Sequence, residues 1–447
     1  MSKKYFGTDG IRGLVNKFPM TPEIALKCGI ALGYKFTNKD KNYRHRVVIA
    51  KDTRLSGYVI EPALTSGLAA AGMDVFLVGP LPTPAVSMLT KSLRADLGIM
   101  ISASHNPYHD NGIKIFDSQG HKLGDEIEKE IEAMLDDDVN KFLAKSDMLG
   151  RVKRMENPRG RYIEFVKNSF PKDLNLSGLR IVVDCANGSS YYIAPIILWE
   201  LGAEVIAINN EPDGFNINEN CGSTSPETLS KKVLQEKADI GIALDGDADR
   251  LLVVDEKGQV VDGDILIGLI AKHLKDTKKL KKDKIVATQM SNIALDNFLA
   301  ENSIELLRCN VGDRYVIEKM REVNSNFGAE KSGHIILSDF STTGDGLVAA
   351  LQILSILIEN KGKKVSQITN IFTLAPQILV NVKLKNDQNP LENSQIIQKI
   401  DQIRQKNPEN RIFIRKSGTE PLIRIMAEGG DQNLIKEIAN QISKILD

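Results

Sequence analysis

At 447 residues the chain is longer than a single hydrophobic core usually organises, so its length predicts about three domains. A hydrophobic share of 42% beside 26% charged residues excludes a disordered or fibrous chain, and 58 Lys plus Arg against 58 Asp plus Glu leaves no global field to draw nucleic acid or an anionic membrane. Any anion must be held locally, and neither nucleic acid nor membrane is an expected partner.

The segment Met1 to Tyr5 lacks the apolar stretch of a signal peptide, and no uninterrupted apolar run reaches membrane-spanning length, which predicts a cytoplasmic protein. Next comes Gly7-Thr8-Asp9-Gly10-Ile11-Arg12-Gly13, with the glycines of a phosphate loop but neither its Lys-Ser/Thr ending nor a clear following helix. Helix starts are predicted at Thr21-Pro22-Glu23, Thr83-Pro84 and Ser225-Pro226-Glu227, where a capping hydroxyl precedes a proline in the first turn.

A unit of apolar strand, polar or glycine-containing loop, amphipathic helix and second strand recurs three times. Its first copy runs from Val47–Ala50 through a helix at Ala63–Ala71, ended by Gly72, to Val75–Val78. The apolar run Gly98-Ile99-Met100-Ile101 then ends in Ser102-Ala103-Ser104-His105-Asn106-Pro107, small and polar residues of the kind that α/β folds present at the carboxyl edge of a sheet. Two readings fit these serines, turn-forming hydroxyls or a nucleophile; no Gly-x-Ser-x-Gly elbow surrounds them, so acyl transfer has little support.

Arg151 to Arg161, charged and containing Pro158 and Gly160, marks the end of the first domain. The second copy runs from Ile181–Asp184 through a helix at Ile193–Leu201 to Val205–Ile208. Ala243-Leu244-Asp245-Gly246-Asp247-Ala248-Asp249-Arg250 places three carboxylates at alternate positions between two apolar strands, where they either converge on a hard divalent cation or form a solvated acidic turn. Glu256 falls at the twelfth position of an EF-hand count, but Arg250 replaces the turn glycine and a strand follows where the loop should continue.

The lysine run Lys275–Lys284 reads as a solvated helix end, and the third copy runs from Ile285–Thr288 through Ile293–Leu299 to Ile304–Leu307. Glu330 and Ser332, in Gly328 to Ile336, offer a carboxylate and a hydroxyl suited to a polyol, whereas His334 alone reads as readily as a structural histidine. After a linker at Asn370–Pro376 the pattern changes to strands at Gln377–Leu384, Arg411–Arg415 and Leu422–Met426 and a helix with Leu434, Ile435, Ile438, Ile442 and Ile445 on one face. Arg415-Lys416-Ser417-Gly418-Thr419-Glu420-Pro421 with Arg424 reads either as an anion trap or as a hairpin turn with incidental arginines. The four cysteines Cys28, Cys185, Cys221 and Cys309 have no close spacing and read as buried thiols.

Four of these segments, in this order, resemble the α-D-phosphohexomutase superfamily over essentially the whole chain, with Ser-Ala-Ser-His-Asn-Pro and Asp-Gly-Asp-Ala-Asp-Arg the most specific pair. The resemblance implies an α/β protein of four domains. Three would be related α/β domains with mixed sheets, at 1–157, 158–256 and 257–370, and the fourth a smaller α+β domain resembling the TATA-binding-protein fold at 371–447. It further implies that Ser104 rather than Ser102 carries a phosphoryl group, and that Asp245, Asp247 and Asp249 with the phosphoserine oxygen hold one Mg²⁺. Glu330, Ser332 and Arg250 would bind the sugar, Arg415, Ser417, Gly418, Thr419 and Arg424 would clamp its phosphate, and Arg12, Lys114 and His334 would assist proton transfer.

Gly7 to Gly13, Pro212 to Asn218 with Cys221 to Thr224, and Val311 to Val316 point to the glucosamine branch, in which Asp313 follows Gly312 where other branches have histidine. The implied activity interconverts glucosamine 6-phosphate and glucosamine 1-phosphate through glucosamine 1,6-bisphosphate, on the route to UDP-N-acetylglucosamine. A kinase or autophosphorylation would load Ser104, and homodimerisation is left open. The alternatives are a phosphomannomutase/phosphoglucomutase and, more distantly, a non-catalytic phosphosugar-binding protein.

Overall fold

The computed structural model describes residues 4–7, 9–37, 43–384, 390–416 and 422–446. In the first sheet β1 (Ile11–Leu14), β2 (Arg46–Lys51), β3 (Asp74–Pro80), β4 (Leu97–Ile101), β5 (Asp110–Asp117) and β6 (Val152–Arg154) lie in the order β1-β5-β4-β2-β3-β6. β2, β3, β4 and β6 run parallel, while β5 is antiparallel to β4 and β1 to β5. Every residue of β4 is buried, as expected of a strand covered on both faces. Helices Pro22–Phe36 and Gly57–Ala70 cover one side and touch through glycines, since a Cβ on Gly67 would lie 2.2 Å from the carbonyl oxygen of Leu26.

The second sheet has β7 (Arg180–Asp184), β8 (Glu204–Ile208), β9 (Ile240–Leu244), β10 (Leu251–Asp255) and β11 (Val260–Val261) in the order β11-β10-β9-β7-β8, with β9 and β10 antiparallel. The third orders β12 (Lys284–Thr288), β13 (Glu305–Cys309), β14 (Phe327–Ala329) and β15 (Ile335–Leu337) as β13-β12-β14-β15. All three sheets mix parallel and antiparallel pairs. The fourth is smaller and wholly antiparallel, β16 (Gln377–Lys383) and β17 (Arg411–Lys416) flanking β18 (Leu422–Glu428), with helix Gln432–Leu446 packed on it.

One buried cluster runs through the first three units, joining Val48, Tyr162, Ile181, Leu266 and Leu347. Its centre is helix Gly346–Glu359, buried from Gly346 to Leu357 and apolar there except for Gln352 and Ser355, which bond to the Ser169 and Gln352 carbonyls. Asp345 caps it, accepting from the amides of Leu347 and Val348 and from the Tyr162 hydroxyl at 2.8 Å. Among the described residues no helix is long and apolar enough to cross a membrane.

Several expectations need correction. Thr21 caps its helix, but Thr83 is itself the first helical residue and turns its hydroxyl to Asp247, and Ser225 precedes a helix that starts at Glu227 without a side-chain cap. The last helix buries Leu446, with Ile445 only partly covered. Helix Ser394–Lys406 had no counterpart in the sequence reading, because it buries only Ile400. Cys28, Cys185 and Cys221 are buried thiols, whereas Cys309 is only partly covered.

Candidate active site

β4 runs out at the carboxyl edge of the first sheet and hands the chain to Ser102 and Ser104, both buried. Ser102 accepts the Ser104 amide at 2.9 Å and donates its hydroxyl to Asp52 Oδ2 at 2.6 Å, so it builds the loop from below. Ser104 takes a left-handed backbone, φ +53°, uncommon for a residue with a side chain. Its hydroxyl donates to Asp245 Oδ2 at 2.6 Å across the boundary between the first and second sheets. His105 Nδ1 lies 3.4 Å from the same hydroxyl. Burial, then the charges of Arg250 and Arg12, push that imidazole down to about 4, so it is neutral near pH 7.

The turn between β9 and β10 carries Asp245, Asp247 and Asp249, all buried, each with a carboxylate oxygen within 4.8 Å of the others'. Asp247 Oδ1 and Asp249 Oδ1 have no hydrogen-bond partner among the described residues. Buried carboxylate oxygens that lack protein donors fit a hard divalent cation, and their burial rules out the solvated acidic turn. Glu256 takes no part, because it binds the Ser366 amide and hydroxyl instead. Burial and the two neighbouring carboxylates push Asp245 up to about 8 when only protein groups surround it. Asp247 Oδ2 accepts from Thr83 Oγ1 at 2.5 Å and from Lys114 Nζ at 2.7 Å.

Lys114, 2% exposed on β5, also stands 3.4 Å from Asp249 and from Asp9. Burial opposes its charge, but Asp247, Asp9 and Asp249 outweigh burial and raise its pKa well above the usual lysine value. It is held as a cation among these three carboxylates. Arg12, on β1, pairs with Asp9 at 2.9 Å, and Lys122 bridges Asp9 to Asp313. The sequence reading gave Asp52 and Lys122 no role and Thr83 only that of a helix cap; their contacts, Asp52 with Ser102, Thr83 with Asp247 and Lys122 with Asp9 and Asp313, bring them to the site.

The sugar-loop residues come from the turn between β14 and β15. Glu330 is half-buried, its pKa raised chiefly by burial, and it accepts the Gly312 amide at 3.1 Å; Ser332 is exposed at the loop tip. His334 stands 3.6 Å from both Asp249 and Asp313. Burial lowers its pKa, but Asp249 and then Asp313 and Glu330 raise it further, so the net direction is upward. Arg250 donates its amide to Asp245 Oδ1 at 3.2 Å and pairs across an isolated bridge with His334.

Arg415 and Arg424 are direct cross-strand partners on β17 and β18, like charges that repel unless an anion lies between them. Burial and Arg424 lower the Arg415 pKa while Glu330 raises it, so Arg415 lies within electrostatic reach of Glu330. Ser417, Gly418 and Thr419, expected in the phosphate clamp, lie outside the described residues.

Four family models described as "Phosphoglucomutase/phosphomannomutase" match the chain in succession: alpha/beta/alpha domain I at residues 3–141, domain II at 160–258, domain III at 262–374 and the C-terminal domain at 379–445. The chain is 56% identical over 447 residues to a phosphoglucosamine mutase of Mesorhizobium japonicum, covering 100% of this chain and 98% of that one. It is 57% identical over 443 residues to that of a Chelativorans species, covering 99% and 97%. A phosphoglucomutase/phosphomannomutase family protein of Burkholderia thailandensis has a similar structure, with TM-score 0.82, 25% identity and coverage of 100% and 97%. The fold also matches Aspergillus fumigatus N-acetylphosphoglucosamine mutase, solved with GlcNAc-6P and magnesium, with TM-score 0.63, 17% identity and coverage of 94% and 98%.

Proposed function

The chain belongs to the phosphoglucosamine mutases of the phosphoglucomutase/phosphomannomutase family, and from that membership we propose how its residues perform the isomerisation. The substrate is glucosamine 6-phosphate, a free phosphosugar of the cytoplasm, and the product glucosamine 1-phosphate. The observation that carries the mechanism is the 2.6 Å contact between Ser104 Oγ and Asp245 in a buried, cation-lined site.

Ser104, once phosphorylated, is the phosphoryl carrier. In the first transfer its P–Oγ bond breaks and the Ser104 oxygen takes up a proton, while a bond forms from phosphorus to the free sugar hydroxyl, whose proton passes to a protein base. The resulting 1,6-bisphosphate turns end for end, and in the second transfer its other phosphoryl group returns to Ser104: the serine hydroxyl gives up its proton as Oγ bonds phosphorus, and the sugar oxygen released takes one up. Asp245, Asp247 and Asp249 would hold Mg²⁺, which when bound would supply positive charge against the phosphoryl oxygens.

Lys114 and Arg12 add fixed cations beside Ser104, and the neutral His105 is placed to exchange a proton with the serine oxygen. His334 sits between Asp249 and Asp313 as a second proton-exchanging group. Glu330 and Ser332 address the sugar hydroxyls with Arg250 beside them, while Arg415 and Arg424 with the Ser417–Thr419 loop hold the distal phosphate. Such transfer depends on positioning and charge neutralisation more than on covalent chemistry by the protein.

A coupled assay on one preparation, with glucosamine, glucose and mannose 6-phosphates in Mg²⁺, tests the substrate. Glucosamine 6-phosphate should exceed the others in kcat/KM by roughly tenfold or more. A preference for glucose or mannose 6-phosphate would overturn the assignment.

A further inference from the structure

Two side chains to which the sequence reading gave no role in the site hold the serine loop, and they reach it from different units. Arg54 is 1% exposed and donates Nε to the Asp110 carbonyl at 2.9 Å and Nη1 to Asp52 Oδ2 at 3.2 Å. Its Nη2 donates to the carbonyls of Ser104 at 3.1 Å and Asn106 at 2.6 Å. Asn218, from the second unit, directs Nδ2 at the same two carbonyls, at 2.9 and 3.1 Å. A carboxamide nitrogen carries two hydrogens, so one side chain satisfies both.

Asn218 is itself anchored, with its amide on the Ala186 carbonyl at 2.9 Å. The aspartate loop is packed against this clamp, for a Cβ on Gly246 would stand 2.6 Å from the Ser104 carbonyl oxygen and 2.8 Å from Asn218 Nδ2. Arg54 therefore ties the loop to its own sheet, and Asn218 ties it to the unit that carries Asp245, Asp247 and Asp249.

We propose that Asn218 is a positioning residue for phosphoryl transfer, which keeps the Ser104 oxygen in register with the aspartate loop by holding the Ser104 and Asn106 carbonyls from the second unit. The proposal rests on Ser104 as the carrier. Its physical basis is that Ser104 and Asp245 lie 141 positions apart in the chain and meet across a unit boundary. The left-handed Ser104 backbone does not set that meeting by itself, and misplacement of a reacting atom by about an ångström costs on the order of a hundredfold in rate.

The test compares Asn218→Asp and Asn218→Ala with wild type and Ser104→Ala in the mutase assay, with melting curves for each. Turnover by wild type and none by Ser104→Ala establishes the carrier separately, so a failure there is distinguishable from a failure of the clamp. Asn218→Asp keeps the shape but turns a donor into an oxygen facing two carbonyl oxygens. Both variants should lose roughly 10- to 100-fold in kcat with KM for glucosamine 6-phosphate changed by less than about threefold, the signature of an interaction needed in the transition state. Wild-type kcat in Asn218→Asp would show that the side chain only fills space and would overturn the proposal. A KM raised in proportion to the lost efficiency would also overturn it, and so would unfolding of both variants, because the clamp holds a loop and no core.

Discussion

Ser102 and Ser104 stand two positions apart and do opposite work: one hydroxyl is spent on Asp52 and the loop's own amide, the other is turned outward to Asp245. Nothing in the sequence separates them except the resemblance, since both are small, polar and equally placed after a strand. The structure separates them by what each hydroxyl touches. Asp345 shows a related division between charge and burial. Three donors favour its ionised form, yet burial dominates and pushes its carboxyl up to about 6.

The folded chain thus binds this proton more tightly than the unfolded chain, whose aspartates ionise near 4. Stability should fall as pH rises through the window from about 4 to about 6 and level off above it. Asp345→Asn keeps an acceptor for the helix amides and does not titrate. The difference in unfolding free energy, variant minus wild type, should therefore grow by on the order of 1–3 kcal/mol between pH 4.5 and 7.5, measured by denaturant titration. Parallel profiles for the two proteins would contradict this.

At the scale of elements, the pairing of β17 with β18 sets Arg415 directly opposite Arg424, with Arg415 within electrostatic reach of Glu330. Under the proposed mechanism the substrate presents first one end and then the other to Ser104, so one clamp holds the distal phosphate in both poses. Charge-assisted contacts to a phosphate contribute on the order of 1.5–3 kcal/mol each, and losing one should speed escape of the bisphosphate by roughly tenfold or more. Arg424→Ala should accordingly release more free glucosamine 1,6-bisphosphate per turnover and come to depend on its addition. Wild-type efficiency without extra release would exclude Arg424 from the clamp.

The elements legible in the sequence were those with strong apolar periodicity, such as β2, β7 and β12 with the helices after them. Helix Ser394–Lys406 was not legible, because a polar helix on a small sheet leaves little pattern to read. Thr83 was misread because a hydroxyl before proline is a local signal, whereas its partner Asp247 lies 164 positions away. The aspartate triad was readable for the opposite reason, since its three carboxylates are neighbours in the chain and need no tertiary contact to be noticed.

In the whole molecule, one buried cluster joins the three α/β units, which bring their loops together, and the fourth sheet carries the arginine pair. Ser104 and Lys114 come from the first unit, the aspartates from the second, Glu330 and His334 from the third. The fourth is docked through Arg411, which donates to the Ser291 carbonyl at 2.8 Å and pairs with Glu428 at 3.1 Å, while Glu428 accepts the Ile293 amide at the start of a third-unit helix. Local motifs identified the parts of this site; the side chains that join one unit to another, Thr83, Asn218 and Lys122, emerge only from the assembled fold.

The central claim is that Ser104 carries the phosphoryl group during turnover, and a label-and-chase experiment reads it directly. The chain is loaded with phosphate-labelled glucosamine 1,6-bisphosphate, freed of sugar, mapped by peptide, and mixed with unlabelled glucosamine 6-phosphate. The account predicts a single label on Ser104 that passes to sugar at least as fast as overall turnover, no label in Ser104→Ala, and substantial labelling in Ser102→Ala. Label on Ser102, or label on Ser104 that leaves more slowly than the enzyme turns over, would contradict it.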